Sequence, residues 1–119
     1  MKVPSFMLKK LYVKGSLKNR DDGFEFALKN TLVDATITSP VALFIDNKPI
    51  PQDNIAITAA HASWSAADIS ESNPAPLKVD VEITVTVKGA ALKQGEHSLE
   101  ISATTKEYGD IQFTVNDSV

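Results

Sequence analysis

The sequence predicts an all-β fold, an antiparallel β-sandwich of seven to eight strands with an immunoglobulin-like or fibronectin-III-like arrangement. Three observations predict it: apolar and polar residues alternate in short segments, turn residues separate these segments, and no helical periodicity lies between them. The Cys and Trp signature of immunoglobulin domains is missing, so the prediction concerns architecture alone. At 119 residues the chain can bury a core without disulfides, and we expect one domain over residues 1–119.

The strongest pattern lies in Leu77–Lys88, where six apolar residues alternate with six polar ones. Alternation with a period of two puts one face on a core and the other in water, as in an antiparallel sheet. Burial of the six apolar side chains at about 1.5–3 kcal/mol each would contribute on the order of 10 kcal/mol. The sequence therefore predicts one long strand here, against which the other strands pack.

The first part of the chain is predicted to form a hairpin. Leu11–Lys18 alternates like a strand, Asn19–Gly23 supplies the turn, and Phe24–Leu28 forms the second strand with inward aromatic residues. A further strand is predicted over Leu32–Thr38, and Ser39-Pro40 ends it.

The segment Val41–Ile45 is apolar on both faces. A strand of this kind is either covered on each side, or it exposes Ala42 and Phe44 to a partner. Both alternatives are open at this stage.

The middle of the chain is rich in turn residues. Asp46–Lys48 is predicted to turn, because Asp and Asn tolerate the left-handed backbone region. Pro49–Pro51 is predicted to be an edge or an irregular connection, since proline cannot donate to a ladder. A short strand follows at Ile55–Ile57. Residues 59–76 break the β pattern and are predicted to form a long loop around Trp64, with at most a helical turn.

Two strands are predicted in the last part of the chain. Gly89–Glu96 forms a loop in which Leu92 inserts into the core, and His97–Thr104 follows with its apolar residues facing inward. Lys106–Asp110 then turns the chain into a last strand at Ile111–Val115.

Composition excludes several classes of function. The absence of cysteine removes thiol catalysis and thiolate metal sites and suits a cytoplasmic protein. The net charge of −3, with both signs scattered, predicts no nucleic-acid partner. The N-terminal residues contain neither a secretory apolar core nor a membrane span, so we expect no membrane association.

Four residues are candidates for interaction with a partner: Trp64, Phe44, His61 and Tyr108. Trp64 either anchors the loop on the sandwich or is an exposed contact, since tryptophan is enriched at interface hot spots. His61 and His97 lack the spacing of metal ligands, and the simpler interpretation is a solvated loop residue and a structural imidazole. No catalytic residue, cofactor or metal ligand is therefore predicted.

Three classes of function remain open on the residues alone. The first is a non-catalytic subunit or interaction module, which could also form homo-oligomers to cover its sheet edges. The second is a carbohydrate-binding module that stacks sugars on Trp64, Tyr12 or Tyr108. The third is a small hydrolase that uses His61 or His97 with a loop carboxylate.

Three segments also carry a family resemblance. They are LKNRDDGFEFALKN (Leu17–Asn30), VALFIDNKPIPQDNI (Val41–Ile55) and VTVKGAALKQGEHSLEIS (Val85–Ser102). In this order they resemble the small β subunits of bacterial C-glycoside deglycosidases. The resemblance implies a β-sandwich subunit that supports a larger, metal-dependent barrel subunit. It transfers no catalytic residue, because none of the matching motifs is catalytic.

Overall fold

Two antiparallel sheets form the protein, as seen in a computed structural model that describes residues 3–59, 62–89 and 91–119. The strands, in chain order, are β1 (Lys18–Arg20), β2 (Gly23–Lys29), β3 (Ala35–Ile37), β4 (Ala42–Ile45), β5 (Lys48–Pro49), β6 (Ile55–Ala59), β7 (Ala62–Ser65), β8 (Ala75–Leu77), β9 (Glu82–Lys88), β10 (Glu96–Thr105) and β11 (Gly109–Ser118). The first sheet has the order β1-β2-β9-β6-β7. In the second sheet, β5-β4-β10-β3-β8, strand β11 pairs with β10.

The antiparallel β-sandwich predicted from the sequence is confirmed. The described residues contain eleven strands rather than seven or eight, because β1, β3, β5 and β8 are only two or three residues long. The closer likeness to immunoglobulin or fibronectin-III domains remains a prediction.

The helical segments are short. Among the described residues, one α-helix, α1, spans Ser5–Leu8, and 3-10 turns lie at Lys9–Leu11, Gln52–Asn54 and Ala66–Asp68. Leu8 is buried and fastens α1 to the core. In the part of the chain that the structure describes, no helix is long and apolar enough to cross a membrane.

The core lies between the sheets and is built from the inward residues of the alternating strands. Five large side chains are almost completely buried, namely Phe26, Leu43, Ile55, Ile69 and Leu99. Three of these lie in β2, β4 and β10, so both sheets contribute. This is the arrangement that period-two alternation predicts for packed antiparallel sheets.

The predicted long strand Leu77–Lys88 is divided in two. Residues 75–77 form β8 in the second sheet, whereas residues 82–88 form β9 in the first. Asp80 takes a positive φ of 72° at the crossing, and its amide donates to the carbonyl of Asn30 at 2.7 Å. Three of the six apolar side chains are therefore buried, and Val79 is 40% exposed. The expectation that all six apolar side chains are buried was therefore wrong.

The strand predicted over Leu11–Lys18 is also wrong. This segment begins in a 3-10 turn, forms an isolated bridge to β2 between Tyr12 and Leu28, and bends at Gly15 with a φ of 82°. The regular hairpin starts only at β1, where Arg20 pairs with Gly23 across Asp21-Asp22. Gly15 is the third residue of the alternating set Leu11, Val13, Gly15 and Leu17, and a glycine there allows a bend where a strand was expected.

The loop predicted over residues 59–76 contains paired strands within its described part. Strand β7 extends the first sheet, with Trp64 opposite Ile57, and β8 pairs with β3 in the second sheet. The 3-10 turn at Ala66–Asp68 buries Ala66 between them. Small residues such as Ala and Ser lack strand propensity, but pairing partners in the tertiary structure override it.

Candidate functional site

His97 and Asp46 join the start of β10 to the turn between β4 and β5. The Nδ1 atom of His97 lies 2.6 Å from Oδ2 of Asp46, and its Nε2 atom lies 2.6 Å from the carbonyl oxygen of Lys93. The other carboxylate oxygen of Asp46 accepts the amide of Ser98 at 2.9 Å. Both ring nitrogens are therefore engaged, and the imidazole holds two turns together.

This geometry favours the charged forms of both groups. A carbonyl oxygen can only accept, so Nε2 of His97 carries a proton. The carbonyl of Lys93 and the carboxylate of Asp46 raise the pKa of His97. The amide of Ser98 and the imidazole of His97 in turn lower the pKa of Asp46. The contact is an ion pair whenever His97 is protonated.

The described part of the loop between β9 and β10 lies beside this pair and is held in place by hydrogen bonds. Nδ2 of Asn19 donates to the carbonyl of Leu92 at 2.9 Å, and the amide of Leu92 donates to Oδ1 of Asn19 at 2.8 Å. The amides of Gly95 and Val119 bond to each other's carbonyls. The loop is thus fixed to β1 and to the last residue of the chain.

These turns enclose a surface groove of about 630 Å³, which we call the lysine groove. Its apolar floor includes the half-buried Ile50 and Leu92. Lys48, Lys88 and Lys93 line it and are exposed, and the described residues contain no ion pair to any of the three. The groove therefore combines an apolar floor with an excess of positive charge.

A second concave region lies inside the sandwich. It is an apolar cavity of about 110 Å³ between the sheets, and Tyr108 in the β10–β11 turn lines it. The backbone amide of Tyr108 donates to Oγ1 of Thr105 at 3.0 Å, which fixes the turn.

The four candidate residues from the sequence do not come together in one described site. Trp64 is half-buried in β7 and packs against the core, and Tyr108 is half-buried beside the cavity. Phe44 is half-buried on the outer face of β4, between Glu100 of β10 and Pro49 of β5. His61 lies outside the described residues. A role in interaction stays a prediction for all four.

Metal binding and hydrolysis both require clusters of particular side chains. No group of three or more His, Asp or Glu side chains there could hold a metal ion. His97 has both ring nitrogens occupied, so it offers no free base in this arrangement. The proposal of a small hydrolase therefore finds no support at His97.

Sequence reasoning missed the lysine groove. Lys48 and Lys93 are far apart in the sequence and meet because β4 pairs with β10, while Lys88 arrives at the end of β9. The turn at Asp46-Asn47 was predicted correctly, since both residues take positive φ values of 52° and 68°. A turn signal says where the chain reverses, but it does not say which distant lysines lie beside it.

Comparison with known proteins identifies the family. A sequence model described as the hydroxymethylglutaryl-CoA reductase N-terminal domain matches residues 7–119. Comparison with curated proteins finds no match.

The C-glycoside deglycosidase resemblance, with the accessory-subunit function drawn from it, is therefore wrong. The three segments that carried it are hairpins and turns, here around Gly23, Asp46-Asn47 and Gly95. Such turn chemistry occurs in antiparallel sheets of many families, so it predicts the fold and not the relatives. Because the matching model spans nearly the whole sequence, the chain belongs to the family of hydroxymethylglutaryl-CoA reductase N-terminal domains.

Proposed function

We propose that this chain serves as the N-terminal domain of a hydroxymethylglutaryl-CoA reductase and that the lysine groove binds the phosphate-bearing part of the CoA ester. The observation that carries this proposal is the cluster of Lys48, Lys88 and Lys93 around an apolar groove. The name of the matching family supplies the ligand class, since a CoA ester combines phosphates with a less polar arm.

The charge balance of the groove supports an anionic ligand. Asp46 is the acidic residue among the groove's described lining, and its carboxylate is already bonded to His97 and Ser98. The three lysines are thus left to act on a ligand from solvent. Clefts lined by charge of one sign focus the field and attract oppositely charged ligands, and lysine binds phosphate as a point charge.

The size and floor of the groove support a molecule longer than free phosphate. A volume of about 630 Å³ lies in the range typical of small-molecule sites. Ile50 and Leu92 offer apolar contact between the lysines. A ligand with an apolar arm and charged phosphates can use both features at once.

The groove is proposed for binding and not for the reduction itself. Reduction of a thioester needs a hydride donor and an acid near the carbonyl carbon. His97 is the one histidine in the described lining of the groove, and both its ring nitrogens are used in holding the turns. We assign the chemical step to the catalytic region of the reductase, the partner with which this domain acts.

The test is isothermal titration calorimetry, in which the purified chain is titrated with coenzyme A and, separately, with hydroxymethylglutaryl-CoA. We expect saturable binding that weakens as salt increases. Lys88→Glu and Lys93→Glu should each weaken binding by about tenfold, since a hydrogen bond to a charged group contributes about 1.5–3 kcal/mol. Lys78→Glu is the matched control, because Lys78 is exposed before the opposite end of β9.

Two outcomes would contradict the proposal. One is no binding of either ligand by the wild-type chain. The other is equal weakening by Lys78→Glu and Lys88→Glu, which would reduce the effect to net charge.

The pairing with a catalytic region and the location require a separate experiment. We propose a cytoplasmic location, because the cysteine-free sequence suits a reducing compartment. We expect the tagged chain to be recovered from the cytosolic fraction of its host together with the catalytic region of the reductase. The recovered material should turn over hydroxymethylglutaryl-CoA. Recovery with other proteins, or from a membrane fraction, would contradict this assignment.

A further inference from the structure

The cavity between the sheets is unusual for a small sandwich because it is apolar, partly open and not filled by the core. Its volume is about 110 Å³, and core residues of both sheets line it, among them Phe26, Ile57 and Ile101. Native cores rarely leave voids larger than a water molecule. The residues around an unfilled space of this size lose packing contacts, and this lowers the stability of the protein. The presence of the cavity therefore needs an explanation.

Bound water does not explain the cavity, because the buried polar side chains of its lining already have hydrogen-bond partners. Asn30 and Thr105 are the buried polar residues among the lining. Asn30 donates to the carbonyls of Val33 and Leu77, both at 2.9 Å, and Thr105 donates to the carbonyl of Gly109 at 2.9 Å.

No buried side-chain polar atom of the described residues lacks a partner. Water in a cavity needs two to four polar partners, and a cavity of about 150 Å³ lined by Leu, Ile and Phe stays dry and binds benzene or xenon.

The cavity has a path to solvent. Lys29 and Val33 line it and are exposed, one on each side of Asn30, and Val33 is 43% exposed. The half-buried Leu32, Leu77 and Tyr108 line it as well. An apolar group can therefore enter past apolar side chains while a polar end of the same molecule stays in water.

We propose that this cavity is a binding site for an uncharged aliphatic group of about four to six carbon atoms. The size follows from comparison with the slightly larger cavity that takes benzene, and the chemical class follows from the absence of any unpaired buried side-chain polar atom among the described residues. The site is separate from the lysine groove and does not depend on the function proposed for it.

Xenon and 1-hexanol are the probes for a direct test. In methyl NMR spectra of the intact chain, signals of Leu28 and Ile57, which line the cavity, should shift with xenon pressure and saturate. Signals of Ile50 and Leu92 in the lysine groove should not shift. Addition of 1-hexanol should displace xenon, because both occupy the same space.

Filling the cavity should abolish binding. Ala75 is buried in β8 and lines the cavity, so Ala75→Ile should weaken xenon binding by at least about tenfold. Ala35→Ile, in the neighbouring β3, is the second variant if Ala75→Ile does not fold. Ala56→Ile is the matched control, because Ala56 is half-buried in β6 and lies outside the cavity lining.

Three results would overturn the proposal. The first is an absence of saturable shifts at Leu28 and Ile57 in the wild-type chain. The second is unchanged xenon affinity in a folded cavity-filling variant. The third is failure of 1-hexanol to displace xenon, which would reject the aliphatic class.

Discussion

The hydroxyl of Tyr12 donates a 2.6 Å hydrogen bond to Oδ2 of Asp117, which joins the irregular N-terminal segment to the last strand. The same oxygen accepts the amides of Gly15 at 2.9 Å and Leu17 at 3.3 Å. Burial and the neighbouring carboxylate raise the pKa of Tyr12. Burial alone would raise the pKa of Asp117, but its hydrogen bonds lower it overall.

Loss of this contact should destabilise the protein. We expect Tyr12→Phe to lower the free energy of unfolding by about 1–2 kcal/mol, because it removes a charge-assisted hydrogen bond. Asp117→Ala should cost more, since the hydroxyl of Tyr12 and the amides of Gly15, Leu17 and Ser118 then lose their acceptor. Urea unfolding measures both changes. Tyr108→Phe is the control, and a loss there as large as in Tyr12→Phe would contradict the assignment.

The ion pair of His97 and Asp46 should make stability depend on pH. The carbonyl of Lys93 and the carboxylate of Asp46 raise the pKa of His97 above its ordinary 6.5. Its stabilisation is therefore fully present below pH 6.5 and is lost as the pH rises through the folded pKa. Asp46 has a lowered pKa, so its contribution is present above its ordinary 3.8 and is lost as the pH falls through the folded value.

His97→Gln provides the measurement. The difference in unfolding free energy between wild type and variant should be larger at about pH 5.5 than at about pH 8.5. Asp46→Asn should remove most of this pH dependence as well, although Ser98 keeps an acceptor. If the difference is the same at both pH values, protonation of His97 does not contribute to the stability of the fold.

Gly23 should tolerate no side chain. It has a φ of 152°, and a Cβ atom at this position would clash with the backbone carbonyl oxygen of Val87. Gly23→Ala should therefore cost more than about 3 kcal/mol. Gly109→Ala is the matched control, because its φ of 72° is also positive but the space around it is open. We expect a cost of about 1–2 kcal/mol there, and equal costs would refute the steric argument.

Val85 and Val79 should differ in their effect on stability, although they belong to one alternating pattern. Val85 is 5% exposed in β9, and Val79 is 40% exposed before it. Val85→Ala should cost about 2 kcal/mol and Val79→Ala less than about 0.5 kcal/mol. Thermal or urea unfolding of the two variants tests this. Similar losses would favour the single long strand that the sequence predicted.

That pair of residues also shows how far the sequence could predict the fold. Alternation fixed which residues of β9 face inward, and it predicted the antiparallel sandwich correctly. It could not show that the chain changes sheet at Asp80, because a single residue with positive φ leaves the apolar pattern unbroken. Pairing of distant strands decides such a crossing, and period-two patterns carry no information on partners.

The candidate site was less predictable than the fold. Turn chemistry correctly marked Asp46-Asn47, whereas Lys48, Lys88 and Lys93 meet only once β4, β9 and β10 are assembled. The cavity has no sequence signal either, since its lining residues look like ordinary core. The sequence marked Trp64 and Phe44 as candidate contact residues because they are aromatic, but the two residues lie in separate sheets.

The pairing of β2 with β9 and of β4 with β10 has a consequence for how this chain acquires its structure during synthesis. The nearby partners of β2 and β4 are β1 and β5, which have two or three residues each. Both early strands must therefore remain largely unpaired until residues 82–105 have been translated. Closing such distant contacts makes β-sandwiches slow folders, on timescales of about milliseconds to seconds. Nascent chains arrested before residue 82 should consequently expose apolar strands and depend on chaperones.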